Sequence, residues 1–207
     1  MARAKRGEAR WAAAFAAAAL GLAAPAAADD VEAAAAAAAP SPEAVQPPEA
    51  WGAARNVTRL GHLRFSEQPD RVALARAKAA GIEMVVNLRP DAEMASLDFD
   101  ERAAVEDLGM TYVQIPVPGE GPFPAEALAA LDRLVLDNEG REIWLHCSSG
   151  NRAAGWLATH LVRRHGMGVE QALAVGRRAG ITKPEIEESV RAAVGGEDGA
   201  GVAGDAP

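Results

Sequence analysis

The stretch Ile143-Trp144-Leu145-His146-Cys147-Ser148-Ser149-Gly150-Asn151-Arg152 carries the one cysteine of the chain, and the rest is read outward from it. Its apolar start predicts a strand running from Ile143 to Cys147. The pattern from Ala153 to His165, stopped by Gly166, predicts a helix. Strand, tight loop and helix together form an anion cradle, in which successive backbone N–H groups and a helix N-terminus face one point. The helix dipole and Arg152 favour a negative charge there, a cysteine thiolate included. The Arg152 guanidinium is also a planar fork that grips a phosphate or sulfur oxyanion at two points. A nucleophile and an anion clamp on one loop indicate covalent catalysis on an anionic group, with Cys147 attacking and Arg152 holding. His146 is read as orienting the loop by hydrogen bonding, with a core histidine whose nitrogens are satisfied as the alternative. Gly150 gives close backbone approach or a positive φ. Ser148, Ser149 and Asn151 complete the cradle. The competing reading is a buried structural cysteine at a strand end.

Strand-like and helix-like segments alternate on both sides of this stretch. Upstream, strands are predicted at Leu63 to Phe65, Ile82 to Leu88 and Met110 to Val117. Helices are predicted at Pro69 to Ala80, Asp100 to Leu108 and Pro124 to Leu136. Downstream come helices at Val169 to Ala179 and Lys183 to Val194, the last opened by a capping box, Thr182-Lys183-Pro184-Glu185. The run Ile82 to Leu88 is continuously apolar, as in a strand buried on both faces. The alternation predicts one α/β domain of three layers, a central, mostly parallel sheet of four to five strands flanked by helices. Ligands of such sheets sit off the carboxyl ends of the strands, where Cys147 falls. Arg89 follows a buried strand and is read as facing the same cleft, with a structural ion pair as the alternative. Arg177 and Arg178 are read as added positive potential or a solvated helix face, and His160 and His165 as surface groups near a helix C-terminus.

The ends of the chain have a different composition. Arg3, Lys5, Arg6 and Arg10 precede an apolar run, Trp11 to Ala24, too short to span a bilayer, and Ala26-Ala27-Ala28 resembles a cleavage site. Residues 1–28 are therefore expected to be a signal peptide and the protein to be periplasmic or secreted. Residues 29–50, rich in Ala and Pro, are expected to form a disordered linker. The domain is placed at 51–194 and a disordered tail at 195–207. The net charge is −8, and loss of the leader would leave the remainder more acidic still. That disfavours nucleic acid and anionic membrane surfaces as partners. No stable membrane insertion is expected after cleavage. A lone cysteine excludes an internal disulfide framework, and no zinc-site spacing is present. No metal or other cofactor is expected.

Four segments in order resemble the dual-specificity and tyrosine phosphatase superfamily: Phe65-Ser66-Glu67-Gln68-Pro69, Val85-Val86-Asn87-Leu88-Arg89-Pro90 with Glu93, Tyr112-Val113-Gln114-Ile115-Pro116-Val117, and His146 to Arg152. The likeness is to a bacterial branch, the beta-lactamase-hydrolase-like phosphatases and the phosphatase domains fused to NAD kinases. It implies a phosphatase-like fold and a cysteine-dependent phosphatase acting on a phosphomonoester through a phosphocysteine intermediate. The partner would be a phosphorylated substrate or small oxyanion, held by Ser148, Ser149, Gly150, Asn151 and Arg89. Such enzymes carry a general acid on the loop after the penultimate strand. Here that loop is Pro118 to Pro124, its one acid is Glu120, and Glu120 takes that role. The loop departs from the mainstream pattern in being Cys-x4-Arg and in having Ala153 after the arginine. The short loop is shared with rhodanese sulfurtransferases. A sulfurtransferase working through a cysteine persulfide, and a catalytically weak anion- or phosphoprotein-binding module, are the two alternatives.

Overall fold

The structure, a computed structural model, describes residues 40–195. The expected signal peptide, the first part of the expected linker (29–39) and the expected tail from 196 onward lie outside the described residues. The elements in chain order are β1 (Gln46–Trp51), β2 (Ala54–Leu60), β3 (Leu63–Ser66), α1 (Arg71–Ala79), β4 (Met84–Asn87), α2 (Asp91–Met94), α3 (Glu101–Asp107), β5 (Thr111–Gln114), α4 (Ala125–Asp137), β6 (Ile143–His146), α5 (Asn151–His165), α6 (Val169–Ala179) and α7 (Pro184–Gly195). The sheet runs β1-β2-β3-β6-β4-β5. Its β3, β6, β4 and β5 are parallel, and β1 and β2 extend it antiparallel.

The expected three-layer α/β domain is present, with two corrections to its N-terminal side. The sheet has six strands rather than four or five, and the domain begins before Trp51. Residues 46–50, expected in the linker, form edge strand β1. Prolines are tolerated at such an edge because their missing N–H leaves no ladder bond unmade. Two apolar residues anchor the strand: Val45 and Trp51 are 1% and 3% exposed. Trp51 packs edge-on against Trp144 of β6, ring centroids 5.5 Å apart.

The strands β4 and β6 are buried along their whole length. On one face Val85 and Trp144 meet Leu74 and Ala77 of α1 and Val105 of α3. On the other, Val86 and Leu145 meet Leu131 of α4, Leu157 of α5 and Leu173 of α6. Asp70 caps α1 by accepting the Ala73 N–H at 2.7 Å, and Asp100 caps α3 by accepting that of Ala103 at 3.0 Å. The capping box expected at 182–185 does not organise α7. Thr182 instead gives its N–H and turns its hydroxyl to Asn151.

The parallel register places the site. Ser66 of β3 and Asn87 of β4 both pair with His146 of β6, and Asn87 pairs with Gln114 of β5. Four strands thus end in line. The segments that follow them, from residues 67, 88, 115 and 147, all leave from one edge of the sheet.

Candidate active site

The loop after β6 has the predicted form, with its helix starting two residues early. The α5 helix begins at Asn151, so Arg152 lies in its first turn and Gly150 is its N-cap, with φ +82°. A side chain at Gly150 would sit 3.3 Å from the Ser66 carbonyl carbon and 3.4 Å from the Glu67 nitrogen. Both the dihedral and the close approach therefore require glycine. The loop lies along the segment after β3, where the Gln68 N–H donates to the Ser148 carbonyl at 3.5 Å. Glu67 pins that segment by accepting the Arg55 N–H at 2.5 Å and the Asn56 N–H at 3.2 Å. On the other side Asn151, 3% exposed, accepts the N–H groups of Thr182 and Lys183 at 2.8 and 3.0 Å. The α5 residues that follow are small because neighbours come close. A Cβ on Gly155 would meet Ile186 and Phe123 at 2.7 Å.

Cys147 is fully buried at the base of the loop, and Ser148 and Ser149 are exposed at its mouth. The Arg152 guanidinium is nearly buried and makes four hydrogen bonds through its two terminal nitrogens. Its Nη1 donates to Glu93 Oε1 at 2.9 Å and to the Val117 carbonyl at 2.8 Å. Its Nη2 donates to Glu93 Oε2 at 2.7 Å and to Ser148 Oγ at 2.9 Å. Burial works to lower the Arg152 pKa, but the Glu93 carboxylate and Cys147 outweigh it and hold the guanidinium above its ordinary value. The Arg152 hydrogen bonds in turn keep the Glu93 carboxyl below the usual carboxylate range, with Arg89 adding to the effect.

Arg89 is at the cleft but is not free to take substrate. It is 7% exposed, and it donates to Glu93 Oε2 at 3.2 Å, the Glu93 carbonyl at 2.8 Å and Gln68 Oε1 at 2.5 Å. It braces Glu93 against Arg152, which is the ion-pair alternative rather than the substrate-binding one. Glu120 is also corrected. It is exposed and makes no hydrogen bond or ion pair among the described residues, so nothing in the fold fixes it over Cys147. The acid built into the cradle is Glu93. A Cβ on Gly119, next to Glu120 in the chain, would lie 3.6 Å from Glu93 Oε1.

Behind the loop is a buried polar network. Glu101 is 2% exposed. It accepts from Gln68 Nε2 at 2.6 Å, from Asn87 Nδ2 at 3.1 Å and from the Tyr112 hydroxyl at 3.3 Å. His146 Nε2 lies 3.3 Å from Glu101 Oε1, within ion-pair reach but out of line for a hydrogen bond. His146 thus faces a carboxylate beneath the cradle and, against expectation, its ring makes no hydrogen bond to the loop. Burial works to raise the Glu101 carboxyl, but the nearby His146, Gln68 and Tyr112 hold it below its ordinary value. Burial, with Glu101 beside it, pushes the Tyr112 hydroxyl up to about 12. Sequence reasoning gave no role to Glu101 or Gln68. Their signal lies in the register that aligns the four strand ends.

Arg177 and His160 make structural contacts. Arg177 is paired with Glu187 at 2.7 and 2.6 Å. His160, expected at the surface, is 3% exposed, and its Nδ1 lies 2.8 Å from Asp132 Oδ1. Asp132 also accepts from Trp156 and Arg164.

A parallel α/β sheet ending in a Cys-x4-Arg cradle, with the arginine clamped by a carboxylate, defines a phosphatase-like domain of the cysteine type. Residues 53–161 match the sequence profile of the phosphatase-like domain of beta-lactamase hydrolase-like proteins. The chain belongs to that family. Solved structures agree on the fold. The chain is similar to Tk-PTP in its active form, with 22% identity, 64% of this chain and 91% of that one covered, and a TM-score of 0.55. A putative phosphatase of Shewanella putrefaciens CN-32 gives 20% identity, 74% and 90% coverage, and 0.53. A putative phosphatase of Neisseria meningitidis Z2491 gives 21%, 64% and 93%, and 0.54. No curated protein matches the chain.

Proposed function

We propose that the protein hydrolyses a phosphomonoester with Cys147 as nucleophile, and the observation that carries this reading is the Arg152 fork held rigid by Glu93 beside Cys147. The Cys147 thiolate attacks phosphorus in line with the ester oxygen. The S–P bond forms as the P–O bond breaks, and the leaving oxygen departs as the anion or takes a proton from water. Arg152 and the loop N–H groups hold the equatorial oxygens, where transition-state charge collects. The Ser148 hydroxyl, now on Arg152 Nη2, rotates away to admit a phosphate oxygen. Water then attacks the phosphocysteine, breaking the S–P bond, releasing phosphate and restoring the thiolate. Glu93 is tied up as the carboxylate partner of Arg152 and is therefore a poor proton donor at neutral pH. With Glu120 unanchored, turnover favours esters with good leaving groups. Residues 1–28 support a periplasmic or secreted site of action.

The test is parallel turnover of p-nitrophenyl phosphate, and of thiosulfate with cyanide, with Cys147→Ser as control. Metal-independent phosphate release, lost in Cys147→Ser and Arg152→Ala, is expected. Sulfur transfer without phosphate release would assign a sulfurtransferase instead. Silence in both assays, with phosphate still bound, would leave a binding module.

A further inference from the structure

Beside the cradle, along β5 and the start of α3, is a cavity of about 290 Å³ that the chemistry above does not use. We propose that it is the subsite for one residue of a peptide substrate, an aromatic side chain about three positions from the phosphorylated residue. This rests on the phosphatase reading.

The first observation is position. The wall between cradle and cavity is the loop 89–94 with its short helix α2. Glu93 on that wall clasps Arg152, while the next residue, Met94, lines the cavity. The sheet order sets the spacing. Cys147 follows β6 and the cavity lies at β5, two strands away, and strands about 4.8 Å apart put that at roughly 10 Å. An extended chain advances about 3.4 Å per residue, so roughly three residues bridge the distance. Asp91 and Ala92, between the two sites, are exposed and leave a path across the top of α2.

The second observation is chemistry. The cavity presents two partly buried apolar groups, Met94 and Phe99. On the same lining the Arg102 guanidinium lies 4.6 Å over the Tyr112 ring, and Arg71 lies 4.9 Å over the Phe99 ring. A flat ring entering the cavity meets a thioether, aromatic rings and a guanidinium, all favourable neighbours for an aromatic group. Gln114 gives its amide N–H groups to the Arg89 carbonyl and Asp91, which leaves its oxygen as an acceptor for a peptide N–H.

Charge separates a peptide from a polyanionic headgroup. Two carboxylates, Asp100 and Glu101, and one guanidinium, Arg102, line the cavity, and a second guanidinium, that of Arg71, lies over the Phe99 ring. A second phosphate would meet no net positive charge there.

The experiment walks one phenylalanine through positions two to five on each side of phosphotyrosine in an otherwise Gly/Ser peptide, with p-nitrophenyl phosphate as a substrate too short to reach the cavity. One position near three should raise kcat/KM about tenfold or more, chiefly through KM. In Arg102→Ala and in Phe99→Ala the ratio of peptide to p-nitrophenyl phosphate kcat/KM should fall by a similar factor. The same series is titrated onto Cys147→Ser by fluorescence polarisation, so the cavity is read even without turnover. A flat series in both formats overturns the proposal, and so does an unchanged ratio in the variants. Preferential turnover of a soluble inositol polyphosphate, reduced by Arg102→Ala, would also overturn it in favour of a headgroup site. If p-nitrophenyl phosphate is untouched while Cys147→Ser still ranks the peptides as expected, the catalytic reading fails and the subsite stands.

Discussion

Glu93→Ala tests how the cradle is held. The substitution removes both carboxylate contacts of Arg152 and leaves the Val117 carbonyl and Ser148 Oγ. Cutting one partner from a fully buried pair costs about 3–5 kcal/mol because the other charge stays behind unmatched. The Arg152 side chain is 5% exposed but that of Glu93 is 30% exposed. Water can therefore enter the vacated place, and two acceptors remain. A loss of about 1.5–3 kcal/mol follows, the range for hydrogen bonds to a charged group. Urea unfolding should show the midpoint falling with an unchanged slope. In turnover of an aryl phosphate, an arginine free to swing should cost about 10- to 100-fold in kcat, since about 1.4 kcal/mol is a factor of ten. Glu93→Gln, which keeps one acceptor, should fall between the two. Inorganic phosphate supplies the missing partner and should restore more stability to Glu93→Ala than it adds to the native chain. Native stability and turnover in Glu93→Ala would refute the reasoning.

Three further outcomes are expected. Gly150→Ala should unfold at lower denaturant and lose aryl phosphatase activity, because at φ +82° its methyl group meets the Ser66 and Glu67 backbone; full activity would contradict the tight approach of the two segments. Low pH should destabilise the fold through Glu93 and Asp132. The Arg152 hydrogen bonds lower the folded Glu93 pKa, and Asp132 is lowered because His160, Arg164 and Trp156 outweigh its burial. Stability from such depressed carboxyls is complete above their ordinary values of 4.5 and 3.8 and is lost as pH falls through the lower folded values. The Tm should therefore drop on acidification below about 4.5 and drop less steeply in Glu93→Gln; a Tm constant from pH 5 to 3 would count against it. Expression in a Gram-negative host should yield periplasmic protein beginning at or near Asp29, and mass spectrometry finding Met1 on cytoplasmic protein would reject export.

The loop after β6 and the interior strands were legible because local signals agree there. The run Met84-Val85-Val86 and the run Ile143-Trp144-Leu145 are apolar without alternation, which fits parallel strands covered on both faces. Strand β1 was not legible. Gln46 to Ala50 carry no period-two apolar pattern, and the strand is held by Val45 and Trp51 at its two ends. The partner of Arg152 was hidden for another reason. Glu93 is 59 positions away in sequence, and its place follows from the pairing of β4 with β6 rather than from any spacing. The expectation for Glu120 rested on loop order, whereas Glu93 is held by two arginines. His160 reads as a surface residue near a helix end, but the buried Asp132 that draws it inward lies on another helix.

The most direct measurement of the central claim is the chemical state of Cys147 during turnover. Rapid acid quench of the protein with excess p-nitrophenyl phosphate, followed by peptide mass spectrometry, should find one phosphoryl group on the peptide containing Cys147 and none in Cys147→Ser. Arg152→Ala should show little or none, because the cradle no longer stabilises the transfer. Steady phosphate release with no phosphoryl group on Cys147, or turnover that survives Cys147→Ser, would contradict the account.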